Sequence, residues 1–209
     1  GSCAILTQMW KLFALLWMIT PPAAAETSAH LNAFADGRYH EAAALAQAEQ
    51  SADNLAFAAR SLLAEAMSAD DQVPSPALAE KAEQLAREAL PLDPGHVEGR
   101  LQLAIALSLR ARPMSTQQAR KSGFGTEAKR LVQSVLEDDP DNFYAHGFMS
   151  VWHIEVVRRG GSVGSAVMGA SVKKARRHYQ RAIAVDPGDA TTHWQYARAL
   201  AAKNTRKNR

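Results

Sequence analysis

Ala175-Arg-Arg-His-Tyr-Gln-Arg-Ala-Ile-Ala-Val-Asp-Pro187 is an amphipathic stretch that stops at an Asp-Pro. Two earlier stretches follow the same plan. They are Ala82-Glu-Gln-Leu-Ala-Arg-Glu-Ala-Leu-Pro-Leu-Asp-Pro94 and Ala128-Lys-Arg-Leu-Val-Gln-Ser-Val-Leu-Glu-Asp-Asp-Pro140. The closing prolines fall 46 and 47 residues apart. Self-similarity at a fixed period marks a helical repeat array.

Each stretch places small residues at helical spacing: Ala82, Ala86 and Ala89 in the first, Ala175 and Ala182 in the last. They let a neighbouring helix approach closely. Larger apolar residues share the face: Leu85 and Leu90, Leu131 and Leu136, Tyr179 and Ile183. Proline biases the residue before it away from helical backbone, so each Asp-Pro predicts a helix end. A new apolar-periodic run then starts, with Asp189, with Asp141 or Asn142, and near Gly95 as the expected caps.

These features resemble the tetratricopeptide repeat (TPR) family. Its small-x3-large-x2-Ala…Pro signature falls on Ala175, Tyr179, Ala182 and Pro187. Ala82, Ala86, Ala89 and Pro94 match with a smaller middle residue, and Ala128, Val132, Val135 and Pro140 match more loosely. The resemblance spans residues 30 to 203. Its period departs from the usual ~34 residues, and the excess falls at 111–123 and 159–168. The widened hairpins, with a basic Gly-containing connector, also resemble the repeat proteins called regulators of microtubule dynamics over residues 80–203. The resemblance implies an all-α, right-handed solenoid of four helical hairpins plus a C-terminal capping helix.

Composition agrees. With 209 residues and 47% hydrophobic content, the chain can bury a core as one domain. Alanine is abundant and β-branched residues are not clustered into strands, so almost pure helix is expected. A single cysteine, Cys3, excludes an internal disulfide framework and a multi-cysteine metal site. No run of 18 or more uncharged apolar residues occurs, so no ordinary membrane span is expected.

Residues 1–25 read as a signal peptide. Lys11 precedes the apolar Leu12-Phe-Ala-Leu-Leu-Trp-Met-Ile19, Pro21-Pro22 breaks it, and Ala23-Ala24-Ala25 offers a cleavage site before Glu26. Met9 is the expected initiator. The expected location is the bacterial periplasm, with an uncleaved inner-membrane anchor as the alternative. Residues 26–203 form the repeat domain. Its first hairpin turns at Asp36-Gly37-Arg38-Tyr39. Helices are expected at 53–69, 76–91, 95–111, 124–138, 142–159, up to 185, and 189–203. Ser115 or Thr116 is placed to cap a short extra turn inside the first connector. Residues 204–209 are a basic tail.

Charge is lopsided. Residues 26–112 carry 7 basic and 13 acidic side chains, and residues 113–209 carry 16 and 8. Arg158, Arg159, Lys173, Lys174, Arg176 and Arg177 form a candidate basic surface for an anionic membrane, with nucleic acid a weaker possibility.

The chemistry-bearing residues have bland placements. Counting forward from each Asp-Pro, His146 and His193 fall where the family places a bulky packing residue, and His153 falls at a later aromatic position. His146 and His153 are seven apart, not the i, i+4 pair of a helical zinc site. Gly160, Gly161, Gly164 and Gly169 lack a following Gly-Lys-Ser/Thr and suit a flexible turn. Val163, Ala166, Val167 and Met168 are expected to pack over the neighbouring hairpin. Trp152 and Trp194 are expected in the core or in a groove wall. No nucleophile-base constellation is present, so no enzyme activity, metal or cofactor is expected.

The expected function is a non-catalytic scaffold or adaptor that binds another protein or peptide. In such a fold the first helix of each hairpin lines the concave side. Its groove candidates are Glu98, Gln102, Ile105 and Leu109, then Tyr144, Phe148, Val151 and Glu155, then Gln195 and Arg198. Aromatic anchors ringed by polar groups suit a peptide or helix.

Overall fold

One backbone event recurs three times in the computed structural model, which describes residues 28–68 and 75–205. Asp93, Asp139 and Asp186, each before a proline, adopt φ/ψ of −146/97, −136/91 and −133/92. This extended conformation is what proline imposes on its predecessor, and it ends the helix there. Each aspartate then accepts a backbone N–H two residues on, from Gly95 (2.9 Å), Asp141 (3.3 Å) and Gly188 (3.0 Å). These are Asx turns, which offer the backbone an alternative to helix. Each next helix starts on a side-chain cap. His96 accepts from the Gly99 N–H, Asn142 from Ala145 and Asp189 from Thr192. Asn142, not Asp141, makes the second cap. The first cap is the ring of His96, next to Gly95.

The described residues form ten helices: α1 (Ala29–Ala35), α2 (Tyr39–Ala46), α3 (Ala52–Ser68), α4 (Pro76–Leu92), α5 (Val97–Ala111), α6 (Thr116–Ser122), α7 (Phe124–Asp138), α8 (Phe143–Met168), α9 (Val172–Val185) and α10 (Ala190–Thr205). Consecutive helices pair as hairpins: α1 with α2, α3 with α4, α5 with α7, and α8 with α9, while α10 closes the array on α8. First helices also stack on the next first helix, α3 on α5 and α8 on α10, but α8 meets α7 far more than α5. Helix α10 runs two residues past the expected end at 203. The expected signal peptide (1–25) lies outside the described residues, as does the end of the basic tail. Among the described residues no helix is long and apolar enough to cross a membrane.

Alanines make the core close-packed. Ala42, Ala56, Ala82, Ala86, Ala89, Ala128, Ala175 and Ala182 are fully buried, with Leu55, Leu63, Leu85, Leu103 and Leu107 between them. Burying each leucine contributes about 1.5–3 kcal/mol. Helix α3 is enclosed on most sides, from Leu55 to Ala66. A smaller cluster of Ile154, Ala175, Tyr196 and Ala199 joins α8, α9 and α10. There a Cβ on Gly147 would lie 3.3 Å from the Thr192 Oγ1, so glycine lets α10 close on α8.

The two extended connectors resolve differently. The first holds α6, whose capping box joins Ser115 and Gln118, and Gly123 (φ 74°) then separates α6 from α7. The second is no loop. Helix α8 continues through the glycines to Met168, broken only where Gly161 takes φ 59°, ψ −152°. That region is open essentially to glycine alone. Val163 and Val167 are exposed instead of packed, and only Met168 of the four residues expected there reaches the core.

Candidate functional site

The groove candidates lie on α5, α8 and α10. Glu98 is half-buried and pairs with Arg60 of α3 at 3.2 Å. Arg60 lies over the Phe34 and Phe57 rings, 5.2 and 4.7 Å from their centroids. Guanidinium over an aromatic face is attractive, so this end of the surface is pre-ordered. Gln102 is half-buried, and Ile105 and Phe148 rest partly against the main core. Leu109 is a correction: at 4% exposure it belongs to the main core, because α5 is packed among α3, α4 and α7. Tyr144 stands 70% exposed on the first turn of α8. Val151 rests on the smaller cluster. Glu155 holds Arg158 with hydrogen bonds of 2.6 to 3.3 Å. Arg198 donates to the Gln195 side chain at 2.9 Å.

Electrostatics unite three of these helices. Arg112, at the end of α5, is lowered from its usual pKa by burial first, then by the charge of Arg198 on α10, and is raised by Glu155 on α8. Arg112, Glu155 and Arg198 are thus close enough for their charges to act on one another. Arg112 escaped the sequence-based selection because it lies one residue past α5, beyond the counted register. Trp194 was expected in the core or a groove wall. It is 64% exposed, because α10 is the last described helix and no described hairpin stacks beyond it.

The six basic candidates have different surroundings. Arg158 is committed to Glu155. Arg159 donates to the carbonyls of Ala111 (2.9 Å) and Met114 (2.5 Å), clamping α8 to the end of α5, and burial pushes its pKa down. Lys173 is exposed. Lys174 donates to the Gly169 carbonyl at 2.8 Å. Arg176 lies close enough to Tyr196 of α10 to act on its hydroxyl. Arg177 is exposed and turns toward His178 and α7.

The histidines follow the repeat. His146 Nε2–H donates to the Pro140 carbonyl and His193 Nε2–H to the Pro187 carbonyl, each at 2.9 Å. The other ring nitrogen of each meets a residue of α9. His146 Nδ1 lies 2.8 Å from His178 Nδ1, and His193 Nδ1 accepts from the Tyr179 hydroxyl at 2.7 Å. His153 stacks on His178 at 5.6 Å between centroids.

Against known proteins, no family model matches the chain, and no curated protein matches it in sequence. A solved structure does. The crystal structure of a thermophilic TPR protein from Thermus thermophilus superposes with a TM-score of 0.50 at 16% identity, over 82% of this chain and 95% of that one. The fold is a TPR-like α-solenoid. At that identity the likeness speaks for the fold, and the surface chemistry above is this chain's own.

Proposed function

We propose that the chain is a non-catalytic scaffold that holds a peptide or helix of another protein on the surface shared by α5, α8 and α10. The observation that carries this reading is that two large aromatics, Tyr144 on α8 and Trp194 on α10, stand exposed on the same helices that carry Glu155, Arg158 and Arg198. Aromatic and arginine side chains supply most binding energy at interfaces. Both aromatics sit on helices tied to the core, so little ordering cost opposes binding. The apolar and small-residue pattern of residues 12–25 supports an exported, periplasmic location for this scaffold.

The test starts with peptides selected from a displayed library and measures their affinity by fluorescence anisotropy. Tyr144→Ala with Trp194→Ala weakens binding about tenfold or more, while Lys173→Ala with Lys174→Ala changes it little. Affinity stays nearly constant between about 50 and 300 mM salt. The opposite ranking, with steep salt dependence, moves the function to the basic half and an anionic surface.

A further inference from the structure

Helices α7, α8 and α9 line an open cleft of ≈ 480 Å³, within the range of small-molecule sites. None of the groove residues lines it. Its inner wall is α8, through the buried His146, Met149 and His153. Its sides are cationic. Lys129 comes from α7, and Lys174, Arg177 and Arg181 come from α9.

The two ammonium groups converge. Lys129 donates to the Met168 carbonyl at 2.9 Å and Lys174 to the adjacent Gly169 carbonyl at 2.8 Å. A Cβ placed on Gly169 would lie 3.8 Å from both. An ammonium has three donors, and these carbonyls each use one. Among the described residues neither lysine has an ion pair, Arg177 has none, and Arg181 reaches Asp141 only at 4.0 Å. Glu137 is the one carboxylate in the lining. Elsewhere this fold pairs its arginines well: Arg87 grips Glu127 with two bonds of 2.8 and 2.9 Å, and Arg110 grips Glu83. Behind the cations lies His153, 3% exposed, whose buried Nδ1 has no hydrogen-bond partner. Four cations against one acid repel one another, and a polyanion between them reverses that cost.

We propose that this cleft is a binding site for a phosphate-bearing polyanion of the diphosphate class, held by Lys129, Lys174, Arg177 and Arg181. The two lysines act as point charges near Gly169, and the two arginines offer forks that match phosphate oxygens. The site is separate from the peptide surface and stands or falls without it.

Calorimetric titration of the full chain with inorganic pyrophosphate tests the site. Saturable binding is expected. Arg177→Gln with Arg181→Gln lowers affinity about tenfold or more, whereas Lys173→Gln with Arg130→Gln, which removes the same charge outside the lining, leaves it within about twofold. Circular dichroism confirms that both variants remain folded. Absence of heat at millimolar pyrophosphate, or equal losses from both variants, overturns the proposal. Co-sedimentation with phosphatidylglycerol vesicles separates the sources of phosphate. Sedimentation that pyrophosphate competes away, and that the Arg177/Arg181 variant lacks, assigns the group to a lipid. Pyrophosphate binding without sedimentation assigns it to a free ligand. Sedimentation indifferent to pyrophosphate and to the variant, with no calorimetric binding, also overturns it.

Discussion

His146 and His178 meet Nδ1 to Nδ1 at 2.8 Å across the α8–α9 hairpin. His146 Nε2 donates to Pro140, so its Nδ1 is the acceptor and His178 Nδ1–H the donor. Protonating either ring sets two donors against each other or adds charge beside Arg177, Arg181 and Lys174. Burial, helped by these cations, lowers His178 to about 4. His153, facing Lys174 and Lys129, is also lowered to about 4, chiefly by burial. For His146, burial and Arg181 outweigh Pro140, Asp139 and Asp141, and its pKa also falls.

The first prediction follows by linkage. Unfolded histidines titrate near ~6.5, so between there and the folded values the unfolded chain binds more protons. The stability from these rings is present above pH ~6.5 and is lost as pH falls toward ~4, on the order of a few kcal/mol in total. Urea midpoints measured across this window fall more steeply for the wild type than for His178→Gln. NMR titration of the ring protons places the His153 and His178 midpoints at about 4, well below the ~6.5 of an unfolded histidine. Parallel urea curves would refute the neutral pair.

Arg159 carries the second prediction. It clamps two backbone carbonyls at the end of α5, so it contributes to stability and not to an anionic docking surface. Arg159→Ala costs about 1.5–3 kcal/mol, and Arg159→Lys loses most of the same because an ammonium cannot fork between Ala111 and Met114. Denaturant melts read the loss. Unchanged stability with weaker vesicle binding would return Arg159 to the surface.

Tyr179 gives the third. Its ring stacks on Tyr196 at 4.1 Å and 7°, and its hydroxyl donates to His193 Nδ1. Tyr179→Ala costs ~3–5 kcal/mol, and Tyr179→Phe, which keeps the stack, costs only ~0.5–1.5 kcal/mol. Thermal melting distinguishes them. Equal losses would place the interaction in the hydroxyl alone.

What the sequence made legible is what local chemistry dictates. Each Asp-Pro fixed its own backbone and its own helix end, so hairpin count and order could be read from three prolines. Small residues such as Ala82, Ala128 and Ala175 marked the packed faces. Long-range relations were less readable. Leu109 fits the groove register but is buried in the main core, because α5 packs against α3, α4 and α7 together. Lys129 and Arg181 lie 52 positions apart and line one cleft only because α7 and α9 both pack on α8. His178 lies outside the packing slots of His146 and His193, so its partnership with His146 had no signal in the repeat. The glycines at 160–164 carry the propensity of a turn, yet the chain continues as α8 through them, broken only at Gly161, with Arg159 anchored on one side and Met168 on the other.

Two of those glycines, three residues apart, yield the last prediction, with opposite signs. Gly161 breaks α8 at φ 59°, ψ −152°, a conformation that a side chain strains whatever the space around it. Gly161→Ala destabilises the protein by about 1–3 kcal/mol. Gly164 lies within helical backbone, and a Cβ there meets nothing within 4 Å. Gly164→Ala therefore removes unfolded-state freedom without strain and stabilises by about 0.5–1 kcal/mol. Denaturant midpoints of the two variants must fall on opposite sides of the wild type. A gain from Gly161→Ala would mean that α8 runs straight through residue 161, and that the segment from Val163 to Met168 points elsewhere.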